Sequence, residues 1–139
     1  MLGENIGSIG WPRCGEIDIM ELVGGGAFND RTIYGTVHWS DNGTHASYGD
    51  ASSLPVGEMY AEEFHVFSIE WDSKEIRWYL DNRQYASVNI SQGHMSEFHK
   101  PFHFLFNIAV GGNWPGSPDQ NTIFPSEMAV DYIRVFQQQ

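Results

Sequence analysis

The sequence predicts an all-β sandwich, and three observations carry that prediction. Apolar segments of five to ten residues alternate with clusters of Gly, Asn, Asp, Ser and Pro, no stretch sustains helical spacing for three turns, and turn signals recur every eight to twelve residues. Seven segments read as strands. Glu16 to Val23 alternates acids with Ile17 and Ile19, and Thr32 to Trp39 follows after a Gly-rich break. Phe64 to Asp72, Ile76 to Asp81 and Gln84 to Val88 are joined by Asp72-Ser73-Lys74 and Asp81-Asn82-Arg83, which read as tight hairpin turns. In Phe102 to Val110, Phe102, Phe104 and Phe106 fall on one face, expected to enter a core between sheets. His103, Leu105 and Asn107 fall on the other, a mixed surface of the kind that suits a sugar. Gly111 to Gly116 reads as a longer, specifically shaped loop, and Met128 to Phe136 is the last strand.

The 139 residues are expected to form a single domain, 1–139, with no internal linker. Seven basic against 18 acidic residues give a net charge of -11, which excludes a binder of nucleic-acid backbone. With 41% hydrophobic and 14% aromatic residues the chain is not of the disordered class. The lone Cys14 excludes an intrachain disulfide and any multi-cysteine zinc site. No apolar run approaches the roughly 18 residues of a membrane span, and the N-terminus has no leader pattern.

The segment Gly15-Glu16-Ile17-Asp18-Ile19-Met20-Glu21 is the most informative. In a strand Glu16 and Asp18 share one face, and strict alternation would send Glu21 to the other, with Ile17 and Ile19. An unpaired carboxylate there would cost several kcal/mol, roughly, or stay protonated. One extra residue near Met20, a β-bulge, returns Glu21 to the face of the other acids. Glu16 and Glu21 are then about 13 Å apart along the strand, at roughly 3.3 Å per residue. Side chains leaning together can bring the carboxyl groups to about 5 to 6 Å, the spacing of a retaining glycosidase. By periodicity alone a solvated acidic face stays open, and so does a calcium site, although calcium loops place their ligands around a Gly turn rather than in an Ile-rich strand.

This segment resembles the active-site signature of glycoside hydrolase family 16 in its bulged form, Glu-x-Asp-x-x-Glu, as in the laminarinase (endo-β-1,3-glucanase) branch. Trp11-Pro12, Gly35-Thr36-Val37-His38-Trp39, Phe67 to Trp71, Trp78 to Asp81, Asn107 to Gly116 and Met128 to Val135 resemble that branch in the same order. The resemblance implies a concanavalin A-like jelly roll, here incomplete and lacking the N-terminal strands. It implies a retaining hydrolysis of β-1,3-glucan with Glu16 as nucleophile, Asp18 as assisting carboxylate and Glu21 as general acid/base. Trp11, His38, Asn107 and Trp114 take positions similar to substrate-binding residues. Each also has a structural reading: Trp11 as a cap on the core, His38 as a satisfied structural histidine, Asn107 and Trp114 as loop packing. Trp39, of opposite parity to His38, reads as packing. Asp131 resembles a calcium ligand, so a structural calcium is expected while the chemistry itself needs no cofactor.

Two alternatives accompany the glucanase reading: a β-glucan-binding fragment without turnover, and a mixed-linkage β-1,3-1,4-glucanase. The resemblance implies a parent protein that acts outside the cell. A half jelly roll leaves unpaired edges and exposed apolar faces, so self-association or pairing with a missing N-terminal half is expected, with no nucleic acid or membrane as partner.

Overall fold

Alternation of aliphatic and polar residues builds two antiparallel sheets whose aliphatic faces meet. The computed structural model describes residues 1–25 and 30–137. Its strands are β1 (Leu2–Gly3), β2 (Glu16–Leu22), β3 (Thr32–Asp41), β4 (Thr44–Ser53), β5 (Phe67–Trp71), β6 (Glu75–Leu80), β7 (Arg83–Asn89) and β8 (Phe102–His103). One sheet has the order β4-β3-β2-β1-β8 and the other β5-β6-β7. Helical structure is confined to a short α1 (Ile6–Ile9) and 3-10 turns at Tyr60–Glu62 and Gly93–His99. All of these elements lie in the first of two compact units, Met1–Leu105; the second is Phe106–Gln139.

The turns follow from their residues. Asp81 and Asn82, with φ of 47° and 67°, form a two-residue turn between β6 and β7, where Leu80 pairs with Arg83. The Asp72 carboxylate accepts the N–H groups of Lys74 and Glu75 at 2.7 and 3.0 Å, which bends the chain from β5 into β6. Asn42 and Gly43, with φ of 51° and 85°, make another two-residue turn between Asp41 and Thr44. That turn launches β4, a strand absent from the expectation. Its residues are small and polar, so periodicity gave no sign of it, although Asn-Gly between strands is a strong hairpin signal.

The core of the first unit draws Ile17, Val37 and Trp39 from one sheet and Ile76, Trp78, Ala86 and Val88 from the other. Ile90, Met95 and Phe98 close it from the connection after β7. Burying a Val, Ile, Met or Phe side chain of this cluster stabilises by about 1.5–3 kcal/mol. Trp39 packs inward as its parity requires, and buried Cys14 lies just before the acid-bearing strand. Trp78 is completely buried and its indole N–H donates to the Asp18 carbonyl at 2.8 Å, tying the second sheet to the first. Room for that indole comes from Gly35, where an added Cβ would stand 2.5 Å from Trp78 Cδ1 and 2.6 Å from the Tyr85 hydroxyl.

Two expected strands do not form. Of Phe102 to Val110 only Phe102 and His103 pair, with β1, and Met128 to Phe136 carries no strand. Phe104 and Phe106, expected in the core, are 41% and 49% exposed. A strand is defined by its ladder as much as by its own alternation, and among the described residues no strand is formed after β8. The second unit contains a different kind of closure: Gly112 and Gly116 exchange N–H···O bonds of 3.1 and 3.0 Å and pinch off the loop between them. Further along, the Arg134 guanidinium lies 4.4 Å from the centre of the Tyr132 ring.

Candidate active site

The site is built on β2 and begins with its register against β3. Glu16 pairs with His38, Asp18 with Thr36 and Glu21 with Tyr34. Between the last two pairs β2 advances three residues while β3 advances two, so one residue of β2 is extra. The bulge therefore falls between Asp18 and Glu21 and brings all three carboxylates to the face opposite buried Ile17. Ile19, expected in the core, lies in the irregular stretch and is only half-buried. The Asp18 carbonyl at the edge of the bulge is the one that accepts the Trp78 indole, so a fixed donor from the interior holds the backbone where the ladder is irregular.

Burial on this face shifts the acids. Glu21 is pushed up to about 6, mainly because the protein displaces water from it and secondarily by the charge of Asp18. Glu16 is also raised, by loss of water and then by Asp18, against the pull of an N–H donated by the Trp11 indole to Glu16 Oε2. His38 Nε2 lies 3.3 Å from Asp18 Oδ2, and this bond is the main reason the imidazole is held above its ordinary value. Glu16 and Glu21 thus stand partly desolvated on either side of an aspartate that an imidazole engages.

Trp11, 49% exposed, precedes β2 and lies beside the acids rather than over the core. Its ring centre is 6.0 Å from that of His38 and 4.6 Å from that of His45. A shallow cavity of about 370 Å³ is lined by Tyr34, Thr36, Gly49, Asp50 and Ala51, two of which pair directly with the acids. Sequence reasoning missed Tyr34, Thr36 and His45. The parity of His38 could have found the first two, and the Asn42-Gly43 turn the third. Asn107, Trp114 and Asp131 belong to the second unit, while the acid row is built wholly from the first.

Asp18, Glu21 and His38 bring one ligand atom each within 4.8 Å of one another. Two of those atoms, His38 Nε2 and Asp18 Oδ2, already face each other in a hydrogen bond, so the trio reads as an acid–base cluster. Asp131 joins no cluster of three His, Cys, Asp or Glu side chains among the described residues.

Known proteins share both the pattern and the fold. The chain is 45% identical to an endo-β-1,3-glucanase from Pyrococcus furiosus whose solved structure superposes with a TM-score of 0.77, over 89% of this chain and 48% of that one. It is 37% identical to a beta-glucanase of Rhodothermus marinus, over 96% of this chain and 48% of that protein. The alpha subunit of clotting factor G from Tachypleus tridentatus is 35% identical over 99% of this chain, which corresponds to 20% of that protein. The chain thus spans about half or less of the length of these relatives. A family model described as "Glycosyl hydrolases family 16" matches residues 5–134. By that match, and by the two-sheet fold that carries the acid row, the chain belongs to glycosyl hydrolase family 16.

Proposed function

We propose that this chain carries the catalytic row of a retaining endo-β-1,3-glucanase. The observation that carries the reading is the bulge, which sets three carboxylates on one face with Glu21 raised to about 6. In this reading Glu21, protonated in mildly acidic solution, gives its proton to the glycosidic oxygen as that bond breaks. Glu16 attacks the anomeric carbon and forms a glycosyl ester. Glu21, now ionised, takes a proton from water, the resulting hydroxyl attacks the same carbon, and Glu16 leaves as carboxylate. The configuration at carbon is retained after two inversions. The charge of Asp18 on the same face raises Glu21 and so favours its protonated form between turnovers. Trp11, held by its bond to Glu16, offers a flat, half-exposed face for a sugar ring at the point of cleavage.

Similarity to a beta-glucanase supports a β-glucan as substrate, and similarity to the endo-β-1,3-glucanase of Pyrococcus furiosus favours the β-1,3 linkage. A mixed β-1,3-1,4-glucan is the next candidate. A second reading, in which the chain binds glucan without cutting it, is favoured by 28% identity over 78% of this chain to a beta-1,3-glucan-binding protein of Penaeus monodon. The deciding experiment is reducing-sugar release from a soluble β-1,3-glucan by the purified chain, with Glu16→Ala as control. Release that disappears in the variant, with the β-anomer formed first by NMR, supports the retaining glucanase. Glucan bound but uncut selects the second reading.

A further inference from the structure

His38 has both ring nitrogens engaged. Nε2 faces Asp18 Oδ2 at 3.3 Å, and Nδ1 faces Nε2 of His45, on β4, at 2.9 Å. His38 is half-buried, whereas His45 is exposed and lies under the Trp11 indole with ring centres 4.6 Å apart. A proton cannot reach a free nitrogen of His38 from water, because it has none; its route passes through a neighbour. We propose that His45 is the solvent-facing member of a two-imidazole proton relay that charges His38, the partner of Asp18, and hence a positioning residue for the acid row.

The steps balance without any further reactant. In the neutral pair His38 carries its proton on Nε2, toward Asp18, and His45 carries one on Nε2, toward His38 Nδ1. Water delivers a proton to His45 Nδ1. The Nε2 proton of His45 then passes to His38 Nδ1, leaving His45 neutral in its other tautomer and His38 as an imidazolium with both N–H groups bonded. Release runs the same steps in reverse. The groups that bear on His38 are Glu16, Asp18 and Glu21 from β2 and His45 from β4, with the amino group of Met1 close to the carboxylates. All but the amino group and His45 are acids, so charge on His38 is welcomed, and His45 supplies the acceptor that its second N–H needs.

The consequence for turnover rests on the glucanase reading; the relay itself does not, and its test needs no substrate. With imidazole nitrogens labelled with ¹⁵N, NMR follows the tautomer, titration and solvent exchange of His38 in the wild type, His45→Phe and His45→Gln. The Phe variant keeps a ring against Trp11 but removes the acceptor, so the His38 titration is expected to fall by roughly half to one pH unit and its N–H exchange to slow several-fold. Gln can accept the Nδ1 proton but cannot pass one on; it is expected to restore the titration and leave exchange slow. A His38 titration in His45→Phe that superimposes on the wild type overturns the proposal, and so does wild-type exchange in His45→Gln. A chain that releases no sugar sinks the functional reading and leaves this measurement unaffected.

Discussion

Two stretches of similar pattern meet different ends. Ile76-Arg77-Trp78 in β6 and Ile133-Arg134-Val135 both alternate apolar with polar residues. The first is flanked by β5 and β7 and buries Ile76 and Trp78 completely, whereas in the second Ile133 and Val135 remain 52% and 74% exposed. Alternation prepares a segment to be a strand; only a neighbour with free N–H and C=O groups makes it one. The first unit contains its own neighbours and can therefore fix side chains to the tolerance that chemistry needs.

The largest effect that would sharpen this contrast is loss of the central indole. Trp78→Ala is expected to cost about 3–5 kcal/mol and to loosen the bulge through the missing bond to Asp18. Val135→Ala is expected to change stability by no more than about 0.5 kcal/mol. Urea unfolding of the two variants measures both, and equal costs would break the comparison. Next comes Gly35→Ala: its methyl would collide with the rigid Trp78 ring and the Tyr85 hydroxyl, at a cost of about 1–3 kcal/mol. Unfolding at wild-type denaturant concentration would show that the interior is looser than its distances.

The smallest effect is titration. Glu21 is raised from 4.5 to about 6 in the folded chain, so folding takes up protons in that window. Its contribution is full below pH 4.5 and is lost as pH rises through about 6. His38 is raised above 6.5, chiefly by its bond to Asp18, so its contribution is present below 6.5 and lost as pH rises through its folded value. Stability should therefore decline with pH from about 4.5 upward. Glu21→Gln should flatten the lower part of the decline and His38→Gln the upper part, read as melting temperature against pH. No change in slope on either substitution would remove the electrostatic account of the row.

How much of this was legible depended on whether burial constrained the residues. The bulge could be inferred because a carboxylate on the wrong face is expensive, and the register of β2 against β3 has its extra residue in that interval. Both hairpin turns of the second sheet follow from Asp, Asn and Ser. The strand β4 was illegible by hydrophobic pattern because most of Thr44–Ser53 is exposed and nothing punishes a polar residue there; with it went His45. The expectations for 104–110 and 128–136 erred in the other direction, since a pattern cannot reveal whether a partner is present.

The extra residue of β2 also sets what kinds of sequence change the strand can absorb. Removing one residue between Asp18 and Glu21 would leave Glu16 opposite His38, Asp18 opposite Thr36 and the second glutamate opposite Tyr34, in a ladder now regular. Removing two, or adding one, would turn that glutamate toward the interior. The strand is thus indifferent to a single-residue shortening at one point and intolerant of length change elsewhere along the row, a rule about counting rather than about which side chains occupy positions 19 and 20.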